Sequence, residues 1–530
     1  MKKLLVVLLA LFVLFGCGGN KPEADENVVT LVTNTDIISL DNHIATDGTS
    51  FIAQTMFMSG LTELDEAGNW KLDLADSYEV NDDRTVYTFK IRDDAYWYDK
   101  DGKQVAPVTA ADFVFGWDRL VAEETASEYN WWLETMSVES YKAVDDKTFE
   151  VTLSAPSGIF MGCLAFPSAF PVNEAFLKAQ GDQYATSADT VLSNGPFILD
   201  SWTPGYSYEF VKNDNYYFAD DYTKAGGADK VVFRVLEDTQ TALMEYQSGN
   251  IDTVILAGEQ VDANKSVDGF TNRLQGYLWY LSLNINHKDG FTTFQNENVR
   301  KAVSFALDRD AIVKSLNDGS VAAEGIIPIG LAGNYDTGVD FRTDQGKVVS
   351  YDVAKAKEYF AAALADLGKD EITINLLYGT NEGDAPIKAA ELIQYYLEEV
   401  GFTVNLVAKQ KKERLNLMTD GDYEVALTRW GPDYGDPQTY MDLFVSTNTS
   451  NNAGRYNSAK YDALVDTALT TASMSERWQS FLDAEKVLVA EDAGIVPVFQ
   501  AGGAMIIRPG VTGIEFHNAA VDNYRHIAKK

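Results

Sequence analysis

Two thiols, four imidazoles and 79 carboxylates are the groups in this 530-residue chain with chemistry to offer. Metal binding and nucleophilic catalysis need such groups at short, fixed spacings. None of His43, His287, His517 and His526 has a partner at metal-ligand spacing. The chain also lacks His-Glu-x-x-His, Gly-x-Ser-x-Gly, Gly-x-Gly-x-x-Gly and the phosphate-binding loop pattern. A zinc site built on a cluster of cysteines is excluded by their count of two. The expectation is therefore no catalytic residue, no metal and no cofactor. A glycosidase working with two carboxylates stays open, because any one pair among so many acids is uninformative. Cys163, within Phe160-Met161-Gly162-Cys163-Leu164, reads as a small core residue and not as a nucleophile.

Cys17 is different. Lys2 and Lys3 precede an unbroken apolar run over residues 4–15. A membrane span takes about 20 such residues, so this run has the length of the apolar core of a signal peptide. Leu14-Phe15-Gly16-Cys17 follows where cleavage is expected, with leucine three residues before the cysteine and a small residue just before it. Phe15 is bulkier than the residue usual there. The pattern resembles bacterial lipoproteins. That resemblance implies removal of residues 1–16 and a diacylglycerol on the Cys17 sulfur, which would hold the protein to the outer face of the cell membrane. Residues 17–27, nearly devoid of apolar side chains, read as a tether. With Cys17 lipidated, Cys163 has no disulfide partner. The net charge of −36 argues against nucleic acid as a partner. It fits a solvated acidic surface that favours cationic solutes.

The elements that must position any site follow from periodicity. A chain this long exceeds one core, so two or three domains are expected. Val86–Ile91 alternates with period two, as do residues 149–153, and turn-rich links such as residues 80–84 point to antiparallel sheet. Beyond residue 370 the pattern changes. Strands are predicted over 372–378, 402–406 and 423–427. A helix carrying Ala389, Leu392, Ile393, Tyr396 and Leu397 ends near Gly401, and a polar helix spans 411–418. Strand–helix–strand at this spacing predicts a parallel α/β sheet, which places ligands beyond the carboxyl ends of the strands. Arg429-Trp430-Gly431-Pro432-Asp433-Tyr434 falls there. Further helices are predicted over 299–312 and after a cap at Asn457-Ser458.

Several segments in order carry a resemblance. They include Val108-Thr109-Ala110-Ala111-Asp112-Phe113, Ser193-Asn194-Gly195-Pro196-Phe197, residues 299–309, Trp430-Gly431-Pro432-Asp433-Tyr434 and Ala493-Gly494-Ile495-Val496-Pro497. Through them nearly the whole mature chain resembles the oligopeptide-binding lipoproteins of peptide ABC importers, the family 5 extracellular solute-binding proteins. The resemblance implies an α/β, two-lobed periplasmic-binding-protein-like fold with a hinge and a domain inserted in lobe one. Lobe one would take 28–58, 191–281 and 498–530, the inserted domain 59–190, and lobe two 282–497. It implies a monomer without enzyme activity that captures short peptides and delivers them to ABC permease subunits. Relatives carry dipeptides, metal chelates, sugars or pheromone peptides, so the solute stays open, and a secreted hydrolase is kept as a further alternative.

The invariant cation of a peptide is its α-ammonium, and burying it unpaired costs several kcal/mol. A pocket for it needs a carboxylate and further acceptors. The resemblance implies Asp433 in that role, with the Gly431 carbonyl as second acceptor. The competing reading makes Asp433 a turn cap beside Pro432. Tyr129 aligns with a ligand-bonding tyrosine, against a reading as core packing. Trp430 is expected to wall a side-chain pocket, and Trp279 to line the cleft near the hinge. The Thr46-Asp47-Gly48-Thr49 loop is expected to pair with the peptide main chain like an added strand. Met418 and Leu427 stand where some relatives carry carboxylate-binding arginines. Arg429 stands beside Trp430 instead, with a ligand carboxylate, Asp433 or Asp436 as its expected partner.

Overall fold

The computed structural model describes residues 27–222, 226–287, 290–331, 337–518 and 520–530. The expected leader, Cys17 and residues 17–26 of the tether lie outside the described residues. Two long strands, Phe270–Leu283 and Ile495–Ile507, pair antiparallel and run through the middle of the molecule. Thr253–Leu256 pairs with one end of this ladder. At the other end Val425–Trp430 pairs antiparallel with residues 278–283. Thr373–Gly379 and Thr403–Lys409 then extend the sheet in parallel. The ladder between the long strands loses its register between Leu274 and Leu278 and again between Trp279 and Tyr280.

The parallel part is the sheet expected from the sequence. Its crossover helix, Ala385–Val400, buries Ala389, Ala390, Ile393 and Leu397 at helical spacing. Gly401 ends it with φ at 128°, a backbone conformation that favours glycine. The third strand reaches further than expected, so Arg429 and Trp430 are strand residues. The helix expected over 299–312 is two helices, Glu297–Ala306 and Arg309–Leu316. Asp308 breaks it, because its side chain accepts from the Ala311 N–H at 3.0 Å and caps the second helix. Ser458 holds the cap position of helix Ala459–Thr470 without a side-chain hydrogen bond.

A second sheet sets Val28–Thr33 parallel to Lys230–Val235, followed antiparallel by Ser207–Lys212 and Phe197–Thr203. A third, wholly antiparallel, orders Ala75–Val80, Val86–Ile91, Thr148–Leu153 and Val138–Asp145. Helix Ala110–Val121 covers it with Phe113 and Trp117, both fully buried. Each sheet faces its own apolar cluster.

Arg525, near the C-terminus, ties this antiparallel region down. Its guanidinium donates to the carboxylates of Glu63 and Asp73, to the Ser59 hydroxyl, and to the carbonyls of Met58 and Thr55 at 2.9 and 3.0 Å. Tyr216 and Tyr217 donate to Asp73, and Tyr222 to Glu63. Every charge in this buried knot has an opposite partner.

Candidate functional site

Strand Val425–Trp430 ends at a cleft, and the chain turns there through Gly431 and Pro432. Two close approaches fix this turn. A Cβ on Gly431 would run into the Tyr277 ring, and one on Gly276 would meet the Asn518 carbonyl and the Pro432 ring. Tyr440 closes the clamp by donating its hydroxyl to the Gly276 carbonyl. The loop that carries Asp433 is thereby pinned to the long strand Phe270–Leu283.

Asp433 donates its backbone N–H to the Thr439 hydroxyl at 3.2 Å. Among the described residues, no side chain or amide pairs with its carboxylate. The turn-cap reading therefore falls to another residue: Asp436 accepts from the Gln438 N–H at 2.9 Å. Water reaches the Asp433 side chain, yet the cleft walls crowd it. Desolvation raises its pKa from 3.8 to about 6. A carboxylate held in this way lacks a cation.

Arg429 does not supply one, which corrects the expected pairing with Asp433 or Asp436. Asp436 is held at both oxygens by Arg477, at 2.7 and 2.8 Å. Arg429 lies 3.9 Å from Glu382 and stacks over the rings of Tyr277 and Trp279, with centroids 4.4 and 5.4 Å away. Trp279 is 2% exposed and stacks on Phe499 at 5.6 Å. It supports Arg429 from beneath, where the sequence reading had it lining the cleft.

Trp430 separates two openings. One, of about 910 Å³, is walled by Tyr277, Glu382, Lys411, Arg414 and Arg429. The other, of about 630 Å³, is walled by Trp131, Asp433, Thr439, Asp442 and Asn451. The indole Nε1 of Trp430 is buried and has no hydrogen-bond partner among the described residues. Asp433 also borders a third space of about 670 Å³ that reaches Trp132, Phe166 and Arg525.

Tyr129 is half-buried, its ring against Phe51, Trp131 and Phe166 at 5.6, 5.6 and 5.2 Å. Burial, and then the charge of Asp433, push its hydroxyl up to about 12, so it packs within the electrostatic reach of that carboxylate. Thr46 is exposed, and Asp47 is extended at φ −127° and ψ 151°. Asp47 caps helix Gly48–Phe57, accepting from the Ser50 N–H at 2.9 Å. Gly48 and Thr49 are therefore helical and cannot serve as an added strand. Extended backbone stops at Asp47.

Sequence reasoning missed Glu382, Lys411, Arg414, Tyr277, Trp131 and Asp442. Only Asp442 had a local signal, as an acid inside the apolar run Tyr440-Met441-Asp442-Leu443-Phe444. Among the described residues, no helix is long and apolar enough to cross a membrane, and no group of three His, Cys, Asp or Glu is arranged for a metal ion.

Comparison with known proteins agrees with this geometry. The family model of bacterial extracellular solute-binding proteins, family 5 Middle, matches residues 69–452. A dipeptide-binding protein of Lactococcus lactis is 31% identical across 97% of this chain and 96% of its own. OppA of Listeria monocytogenes, solved bound to peptide, is 30% identical with a TM-score of 0.71, covering 96% of this chain and 100% of that one. An unliganded open form of MppA, a periplasmic murein tripeptide-binding protein, shares the fold at a TM-score of 0.80 and 23% identity, covering 96% and 98%. The chain has the α/β, periplasmic-binding-protein-like fold expected from the sequence. On these matches, the chain belongs to the family 5 bacterial extracellular solute-binding proteins.

Proposed function

We propose that this protein captures short peptides between its two lobes outside the cytoplasm and delivers them to the permease of an ABC importer, performing no chemistry itself. One observation carries the reading: Asp433, at the carboxyl end of a parallel-sheet strand, is a crowded carboxylate without a cation, and a peptide α-ammonium supplies one. Two relatives support the solute class, one named for dipeptides and one solved with peptide. The higher TM-score against an unliganded open form than against a peptide-bound one supports reading the present shape as the open trap. Within this proposal, lobe one takes 28–58, 191–281 and 498–530, the inserted domain 59–190 and lobe two 282–497. The lipid on Cys17 keeps a monomeric binder beside its permease.

Calorimetry of tripeptide binding to Asp433→Ala tests the reading. Affinity is expected to fall at least about tenfold, the cost of removing one partner of a desolvated charge pair, with a denaturation midpoint no lower than that of wild type. Unchanged affinity overturns it. Native mass spectrometry of freshly purified protein adds a second arm, and recovery of a sugar or a metal chelate would replace the peptide. Turnover of peptides or glycosides by the purified protein would restore the hydrolase reading.

A further inference from the structure

The 630 Å³ opening beside Trp430 holds two carboxyl groups, one more than a single α-ammonium pairs with. Asp433 and Asp442 both line it. Among the described residues, neither carboxylate has an ion pair or a hydrogen bond from another residue. The third acid nearby, Asp436, is already neutralised by Arg477. Burial, and then the charges of Asp433 and Asp436, push the Asp442 carboxyl up to about 7. The remaining walls suit a cation. Trp131 and Trp430 offer aromatic faces, while Thr439, Asn448 and Asn451 offer polar atoms. The neighbouring 910 Å³ opening is basic on balance: Glu382 pairs with Arg414 at 3.0 Å, and Lys411 and Arg429 complete the wall. A basic group entering the cleft is repelled from that side and drawn towards Asp442.

We propose that Asp442 is a specificity residue, and that this opening takes a ligand with two neighbouring cations: a peptide whose first residue is lysine or arginine. The α-ammonium sits on Asp433 and the side-chain cation on Asp442. This rests on the peptide reading of Asp433 and narrows it. An uncharged first side chain leaves Asp442 desolvated and unpaired, so it binds less well. A basic residue placed third lies beyond the opening and gains nothing.

The test compares Lys-Ala-Ala, norleucine-Ala-Ala and Ala-Ala-Lys on the full chain by calorimetry. Norleucine keeps the length of the apolar stem and removes the charge. The lysine-first peptide is expected to bind at least about tenfold more tightly than the norleucine peptide, the effect of one charge-assisted pair. Asp442→Asn, close to isosteric, should collapse that ratio towards one, with thermal denaturation confirming the fold. The inference is overturned if wild type binds the lysine-first and norleucine peptides alike, if the ratio survives in Asp442→Asn, or if Ala-Ala-Lys gains as much as Lys-Ala-Ala. Failure of all three peptides to bind wild type overturns the peptide reading itself, and this inference with it.

Discussion

Carboxylates are desolvated in two parts of this molecule with opposite outcomes. Around Arg525, Glu63 and Asp73 meet a guanidinium, and three tyrosine hydroxyls supply further hydrogen bonds. At the cleft, Asp433 and Asp442 meet no cation among the described residues. The knot has its counter-charge built into the chain, so it joins the C-terminal segment to the antiparallel region. The cleft leaves its counter-charge to be brought by a ligand. The difference separates charge that holds the fold from charge that binds, even though both are made of the same side chain.

The largest expected effect breaks the knot. Arg525→Met leaves Asp73 buried without a cation and Glu63 with only the half-exposed Lys71 at 3.0 Å, and should cost about 3–5 kcal/mol in urea denaturation. A loss below about 1 kcal/mol would mean that water already relieves those acids, and the contrast with the cleft would vanish.

The next effect is on binding. Because the Asp433 pKa is raised to about 6, a proton must leave that carboxyl before an ammonium can occupy the site at lower pH. Affinity should be greatest near pH 7, fall by up to about tenfold per unit below pH 6, and decline again towards pH 8 as the peptide α-amino group, with a pKa of about 8, loses its proton. Titration calorimetry from pH 5 to 8 measures it, and Asp433→Asn should remove the acid slope.

The smallest effect is on stability, and it runs in opposite directions at Asp433 and at Glu63, whose neighbour Asp73 is itself raised by burial. The Asp433 pKa is raised in the folded state, so the folded protein is favoured at low pH and loses that advantage as pH rises from about 4 through 6. Asp433→Asn should therefore melt slightly higher than wild type at pH 7.5. At Glu63 burial opposes the charge, but Arg525 and Lys71 outweigh it and hold the pKa below its ordinary value. That contribution is present above the unfolded-state pKa and is lost on acidification. Glu63→Gln should melt lower at pH 7.5. Shifts of the same sign would collapse the distinction.

Much of this organisation was legible in the sequence because local pattern carries it. The alternation over Val86–Ile91, the helical spacing up to Gly401 and the strand–helix–strand succession of the parallel sheet all follow from apolar periodicity. The Trp430-to-Tyr434 motif marked the loop that the structure places at the cleft. What was not legible has two physical sources. In one, a cap overrides periodicity: Asp308 breaks a helix whose apolar spacing runs on, and Asp47 starts a helix where extended backbone was expected. In the other, a partner is remote in sequence: Arg429 finds Glu382, Asp436 finds Arg477 and Arg525 finds Glu63, and no local spacing reports such pairs.

The two long strands have a kinematic consequence. Phe270–Leu283 and Ile495–Ile507 are zipped into one ladder that both halves of the molecule share. Sliding one half past the other would shear the rungs together, whereas bending where the register already lapses, between Leu274 and Leu278, shears none. A bend there leaves the paired rungs on either side intact, and in the proposed closing trap it carries Asp433 on an arc set by chain connectivity.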